Sequence, residues 1–284
     1  MGKFKGTAVV LSQKEISAGI FDLCIAAPSI SAAARAGQFL NLYLNDRSRL
    51  LPRPVSICEI LWDRKALRLV YRVTGEKAGT GELSTYLPGT EIEVLGPLGN
   101  GFPTDRKEIG DCIARSHEAE EAGSLKTENA DSVIAVVGGG IGIPPLLELC
   151  HELPGKKTAV LGYRNADLFL KGDFTRAADR VLIATEDGSA GTKGNVIDAM
   201  RENDFTPDCI MACGPLPMLR ALKKYAEEKK IPCFISMEER MACGVGACLG
   251  CIVKTTEKDA HSNVKNKRVC KDGPVFDARE VDLS

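Results

Sequence analysis

Short runs of Val, Ile, Leu and Phe fill the first hundred residues, punctuated by Gly, Pro, Ser and Asp. Lys5–Leu11, Gly19–Ala26, Phe39–Leu44, Val55–Ile60, Leu67–Val73 and Glu91–Leu95 read as strands. Six strands at fairly even spacing predict an antiparallel barrel or sandwich. A short helical stretch, Gly79–Leu87, separates the last two. From Ser132 the pattern alternates strand and helix. Strands are expected at Ser132–Val137, Thr158–Tyr163, Val181–Thr185 and Cys209–Cys213, and helices at Pro144–Glu152, Asn195–Asn203 and Pro217–Lys230. Strands apolar on both faces, each followed by a helix, imply a parallel sheet covered on both sides.

Two segments break these patterns. Asp105 to Ser132 is polar, charge-mixed and weakly periodic, and reads as a linker or surface insertion with one short helix at Glu118–Lys126. After a short strand at Cys233–Met237, Cys and Gly dominate through Cys251, and the tail to Ser284 is polar. The expected fold class is therefore α+β and multidomain. It has an antiparallel β-barrel over 1–104, the polar linker over 105–131, an α/β parallel-sheet domain over 132–232 and a small Cys-rich domain over 233–284.

Composition narrows the function class. The net charge is −1 and Lys and Arg are scattered, so there is no electrostatic footprint for nucleic acid or an anionic membrane. No apolar run approaches the ~18 residues of a membrane span, and the N-terminus MGKFKGTAVV lacks a signal-peptide pattern. A cytoplasmic location is expected. Eleven cysteines without a secretory signal do not suggest a disulfide scaffold. The first six, up to Cys213, stand singly and read as small buried hydrophobes.

Four of the last five cysteines are arranged differently. MACGVGACLGC gives Cys243-x4-Cys248-x2-Cys251, and Cys270 follows on a separate segment. This is the spacing of a plant-type [2Fe–2S] site. Three thiolates on one tight loop surround one side of a small cluster, and Gly244, Gly246 and Gly250 let main-chain N–H groups approach the sulfurs. The bland alternatives are a zinc site or a set of buried thiols, but zinc ligands usually come as two C-x2-C knuckles.

Two further features suggest phosphate binding. In VVGGGIGIPPL a strand enters Gly138, Gly139, Gly140 and Gly142 and then a proline-started helix, a seat for pyrophosphate. The strict dinucleotide fingerprint is absent, since Ile143 stands where Gly or Ala is expected, and tight strand–helix packing is the alternative reading, against which the surrounding strand–helix alternation favours a nucleotide. Cys213-Gly214-Pro215 closes the fourth strand of the same sheet, where such folds bind ligands. In LPRPVSI, Arg53 offers a forked donor, Pro54 a fixed backbone and Ser56 a hydroxyl, while Gly79-Thr80 opens the short helix. Taken singly, these are an ordinary strand arginine and an ordinary helix start.

Taken in order, the boxes resemble the ferredoxin–NADP reductase superfamily. ATEDGSAGTKG (184–194), CGPLPML (213–219), MEERMACGVGACLGC (237–251) and RVCKDGPVFDAREV (268–281) resemble its electron-transfer subunits of the two-subunit, NAD-dependent dihydroorotate dehydrogenases. The resemblance covers nearly the whole chain, the segment Asp105–Ser132 excepted. It implies FAD on the barrel, along Arg53, Pro54, Val55 and Ser56, with Val70, Tyr71 and Arg72 adding contacts and Gly79 and Thr80 at the pyrophosphate. It implies NAD at Gly138, Gly139, Gly140 and Gly142, with Cys213, Gly214 and Pro215 near the nicotinamide. Cys243, Cys248, Cys251 and Cys270 would hold the [2Fe–2S] cluster. It also implies a separately encoded partner, an FMN-containing catalytic subunit, in a heterotetramer with two of each chain. Electrons would pass from FMN through the cluster and FAD to NAD+ in pyrimidine biosynthesis. Close alternatives are the small subunit of a sulfide dehydrogenase or of a ferredoxin–NADP oxidoreductase, and a non-enzymatic flavin/iron–sulfur redox sensor. NAD against NADP stays open, because Arg164 suits a 2′-phosphate while Asp167 lies close by.

Overall fold

Two-residue alternation builds the first unit. The computed structural model describes residues 2–117, 132–258 and 263–284. It has β1 (Phe4–Ser17), β2 (Ile20–Ala26), β3 (Phe39–Tyr43), β4 (Arg53–Leu61), β5 (Ala66–Arg72) and β6 (Glu91–Leu98). These close into an antiparallel barrel in the order β1-β2-β5-β4-β3-β6, so the barrel alternative holds over the sandwich. Leu40 and Leu42, Val55 and Ile57, Leu67, Leu69 and Tyr71, and Ile92 and Val94 form its interior together with Leu23 and Ile25. Successive side chains of a strand point to opposite faces. Asn41 on β3, Pro54 and Ser56 on β4, and Val70 and Arg72 on β5 therefore lie on the outer face. Also on that face, Arg68 donates to both Asp22 carboxylate oxygens at 2.9–3.1 Å and to Glu59 at 3.0 Å.

The second unit carries the parallel sheet. Its strands are β7 (Val133–Gly139), β8 (Lys156–Tyr163), β9 (Arg180–Thr185), β10 (Thr192–Lys193), β11 (Cys209–Cys213), β12 (Cys233–Ser236) and β15 (Val275–Asp277), in the order β10-β9-β8-β7-β11-β12-β15. All pairs from β10 to β12 are parallel. The chain enters at β7, works outward to β10, then returns to the other side of β7 as β11. That reversal leaves a crevice at the C-terminal ends of β7 and β11, the usual ligand position in open α/β sheets. The helices between strands are α4 (Leu146–Glu152), α5 (Lys171–Ala177), α6 (Val196–Glu202) and α7 (Leu216–Lys229). A capping box starts α6: Asn195 accepts from the Ile197 and Asp198 amides, and Asp198 accepts from Asn195 N–H. In α7, Leu219, Leu222, Tyr225 and Ala226 form the buried stripe, and left-handed Lys230 ends the helix.

The segment expected as a linker is partly helical. After α1 (Pro28–Ser31) and α2 (Gly79–Leu83), α3 spans Arg106–His117. Asp105 caps it by accepting from the Lys107 and Glu108 amides at 2.9 and 3.0 Å. Ile109 and Cys112 are buried, too sparse a stripe to stand out as periodic in the sequence. The helix expected at Glu118–Lys126 lies outside the described residues. The C-terminal stretch is divided between the units. Glu238–Val253 and Asn266–Val275 belong with Met1–Gly101, whereas Lys254–Lys265 and Phe276–Ser284 belong with Phe102–Met237. A two-stranded sheet, β13 (Ile252–Lys254) with β14 (Asn266–Arg268), lies within this stretch. No described helix is long and apolar enough to cross a membrane.

Removing Arg68 strands two poorly solvated carboxylates on the barrel wall. Arg68→Ala is expected to lower stability by about 3–5 kcal/mol, read as the urea midpoint at unchanged slope.

Candidate functional site

The cysteine loop, residues 241–251, is shaped by turns rather than by helix or strand. Gly244 (φ +67°), Gly246 (φ +88°) and Leu249 (φ +58°) adopt left-handed conformations and wrap the main chain. The amides of Val245 and Cys248 donate to Cys243 Sγ, that of Gly250 to Cys248 Sγ and that of Cys270 to Cys251 Sγ, each at 3.4 Å. Cys270 is delivered by a braced turn. Arg268 donates to the Asp272 carboxylate at 2.9 and 3.0 Å and to the Gly246 carbonyl at 3.2 Å, and Val269 N–H donates to the Cys251 carbonyl at 2.9 Å. The four thiols fall into two pairs, Cys243 with Cys248 and Cys251 with Cys270. Cys251 and Cys270 are buried, Cys243 half-buried and Cys248 exposed.

Electrostatics differ between the pairs. Burial disfavours the Cys243 thiolate, but amide donors from Val245 and Cys248 overcome it and bring the thiol down to about 6. Burial, with a hydrogen bond to Cys251, pushes Cys270 up to about 12. Burial also opposes ionisation of Asp272, yet Arg268 holds its carboxyl below the usual range. Among the described residues, no three His, Cys, Asp or Glu side chains converge on a single-ion site. Two thiol pairs side by side suit two irons better than one tetrahedral zinc.

On the barrel, the structure brings together the two boxes assigned to flavin. The Arg53 guanidinium lies directly over Gly79, where any Cβ would displace it. Thr80 Oγ accepts from the Thr74 amide at 3.1 Å. Arg49, unremarked in the sequence, pairs with Glu82 at 2.9 Å and donates to the Lys77 carbonyl at 3.0 Å, tying the loop before β4 to α2. Pro54 and Ser56 are half-buried on the outer face, and Val55 points into the core. Tyr71 also points inward and donates to Gln13 Oε1 at 2.9 Å, so its side chain is committed to the barrel and Val70 and Arg72 are the outward neighbours. Near Arg72, desolvation raises the Glu238 carboxyl above its ordinary value, with Arg72 opposing the rise.

At the edge of the parallel sheet, the glycines meet the Cys-Gly-Pro turn main chain to main chain. Cys213 is the Cα partner of Gly138. A Cβ on Gly142 would lie 2.5 Å from the Cys213 carbonyl carbon and oxygen, and one on Gly214 would lie 3.1 Å from the Gly139 nitrogen. Gly140 (φ +53°) and Ile141 remain half-exposed at the rim. The predicted residues on this unit, Gly138 to Gly142 and Cys213 to Pro215, thus converge at the topological switch point.

Asn41 is a second residue that sequence reasoning passed over. It is fully buried although it faces outward, and its Nδ2 donates to the Cys243 carbonyl at 3.1 Å. The signal was one amide inside an otherwise apolar and aromatic strand, Phe39–Tyr43.

A six-stranded barrel, a doubly covered parallel sheet and a nest of four thiols define a flavin-reductase fold carrying an iron–sulfur segment. Residues 238–282 match the family described as the iron-sulfur cluster binding domain of dihydroorotate dehydrogenase B. The chain is 39% identical, over 99% of its length and 99% of the relative's, to the dihydroorotate dehydrogenase B (NAD(+)) electron transfer subunit of Bacillus pumilus. It is 38% identical, over 96% of its length and 97% of the relative's, to that of a Geobacillus species. A solved NADH-dependent reduced ferredoxin–NADP oxidoreductase chain superposes with TM-score 0.78 at 28% identity, over 97% of this chain and 89% of that one. A ferredoxin–NADP+ reductase from Neisseria gonorrhoeae shares the fold, with TM-score 0.59 at 14% identity over 79% of this chain and 91% of that one. The chain belongs to the family of dihydroorotate dehydrogenase B (NAD(+)) electron transfer subunits.

The contact at Gly142 is main chain against main chain and cannot yield. Gly142→Ala is expected to cost about 1–3 kcal/mol in urea denaturation. Gly110→Ala is the control: Gly110 lies inside α3 with nothing within 4 Å of its would-be Cβ, and the change should stabilise by about 0.5–1 kcal/mol.

Proposed function

We propose that this chain relays electrons from the FMN of a dihydroorotate dehydrogenase catalytic subunit to NAD+, using a [2Fe–2S] cluster and an FAD. The observation that carries the reading is the paired thiol nest packed on the same barrel unit as the flavin boxes. Cys243 with Cys248, and Cys251 with Cys270, would hold the cluster. The amides of Val245, Cys248, Gly250 and Cys270, already aimed at the ligand sulfurs, favour the added negative charge of the reduced state.

The barrel residues divide the work of flavin binding. Arg53 and the start of α2, Gly79 and Thr80, bind the FAD phosphates; Pro54 and Ser56 line the outer face for the isoalloxazine, with Val70 and Arg72 beside them. On the second unit, Gly138 to Gly142 give main-chain amides to the NAD pyrophosphate, and Cys213 to Pro215 border the nicotinamide. When bound, FAD supplies the exchange between hydride and single-electron chemistry, and the cluster supplies single-electron carriage. The protein contributes placement, charge and exclusion of water.

The partner docks on the cluster face. Cys248 is exposed there, and Val245, Leu249 and Ile252 put apolar surface into solvent beside it, with Leu249 58% exposed. Such a patch is common at obligate interfaces. Two copies of each subunit form the assembly.

The test pairs the anaerobically purified chain with an FMN-containing catalytic subunit. Dihydroorotate-dependent NAD+ reduction should appear only in the mixture; its absence from a mixture holding all three cofactors would overturn the pathway. Cys248→Ser should lose iron and reduce this activity at least about 100-fold, while keeping flavin and NADH oxidation by an artificial two-electron acceptor.

A further inference from the structure

Asn41 occupies an unusual position on the barrel. Its neighbours Leu40 and Leu42 fill the core, so Asn41 faces out, yet it is 0% exposed. What covers it is the cluster loop. Its Nδ2 donates to the carbonyl of Cys243, 3.1 Å away. A Cβ on Gly244, which has φ +67°, would stand 2.9 Å from Asn41 Cγ and Oδ1, so the loop main chain lies flat on the carboxamide. Among the described residues Oδ1 is buried without a hydrogen-bond partner. An apolar side chain of the same size would bury without that penalty, so packing alone does not account for an amide here.

The strand register places this contact beside the flavin seat. Asn41 is the Cα partner of Pro54, and Phe39 that of Ser56. Directly paired residues share a face, with Cα atoms about 4.5–5.5 Å apart. The half-exposed outer surface of Pro54 and Ser56 and the loop-covered surface of Asn41 are therefore adjacent patches of one strand pair. The loop approaches over the same face. Glu238 lies in the field of Arg72 on β5, and five residues on, Cys243 is hydrogen-bonded on β3, with β4 between them.

We propose that Asn41 is the positioning residue for electron transfer between flavin and cluster, pinning the Cys243–Gly244 main chain to the strand next to the flavin seat. The inference rests on the cofactor reading given under Proposed function. The amide fixes the approach of the cluster to the flavin, and its N–H side faces a ligand residue whose cluster gains negative charge on reduction. The step at issue is simple. With both cofactors bound, hydride from NADH would bring two electrons to the flavin; one would reduce the oxidised cluster and the other would stay on the flavin, and Asn41 would hold the Cys243–Gly244 main chain in place for that transfer.

Two variants separate the hydrogen bond from mere filling of space. Asn41→Leu keeps the branched shape and removes the donor; Asn41→Ala removes both. The full chain, purified anaerobically, is assayed for flavin, iron and acid-labile sulfide. The reduced cluster is examined by electron paramagnetic resonance and its midpoint potential measured. NADH is then mixed rapidly with the protein while the flavin and cluster absorptions are followed separately. Both variants should retain flavin and iron and reduce their flavin at the wild-type rate. Their clusters should be reduced about 10–100-fold more slowly, with altered g-values and a more negative midpoint potential. Wild-type cluster kinetics and spectrum in Asn41→Leu would show that filling the site is enough and overturn the proposal. Loss of iron from both variants would make Asn41 a structural anchor and also overturn it. A wild-type chain lacking flavin or iron would instead defeat the underlying cofactor reading, and the proposal with it.

Discussion

The two-residue period of β3, β4 and β5 governs this molecule's arrangement of function. Leu40, Leu42, Val55, Ile57, Leu67 and Leu69 must point inward to fill the barrel. Asn41, Pro54, Ser56 and Arg72 then have no choice but to point outward. A slip of one residue in any strand would bury the polar set and expose the apolar one. The hydrophobic effect that closes the barrel thus also lays out the face on which we propose the flavin sits, with Pro54, Ser56 and the Asn41 contact to the cysteine loop side by side. Arg68, bound to Asp22 and Glu59, ties β5 to its two neighbours on that same outer surface.

The second unit solves a different problem with similar economy. Its strand order reverses beside β7, and the reversal opens a crevice at the strand ends. Gly138 to Gly142 and Gly214 let two turns meet there without side chains intervening. The plain packing explanation of these glycines and their nucleotide-binding explanation are therefore compatible. Close packing of the turns leaves main-chain amides at the rim, where a pyrophosphate needs them.

Much of this was legible in the sequence because it depends on local pattern. All six barrel strands and the β7, β8, β9 and β11 strands follow from short apolar runs between turn residues. The gathering of the four thiols follows from C-x4-C-x2-C, a spacing few other sites use. What escaped depends on tertiary context. The helix α3 buries little beyond Ile109 and Cys112, so its periodicity is faint. The parity of Tyr71 on β5, which turns its side chain into the core towards Gln13 while Val70 and Arg72 face out, needs the closed barrel to be seen. Asn41 is separated from Cys243 by some two hundred residues, and no spacing rule joins them. Arg49 and Glu82 meet only once the loop before β4 folds against α2. Division of the C-terminal stretch between two units is likewise set by where its turns find partners, not by composition.

The central claim is that one chain carries both a two-iron cluster and a flavin. The most direct measurement is the flavin, iron, acid-labile sulfide and zinc content of anaerobically purified protein, with an electron paramagnetic resonance spectrum after dithionite reduction. The account predicts one bound FAD with two irons and two acid-labile sulfides per chain, negligible zinc and the rhombic signal of a reduced [2Fe–2S] centre. A colourless protein with zinc on its four cysteines would contradict it.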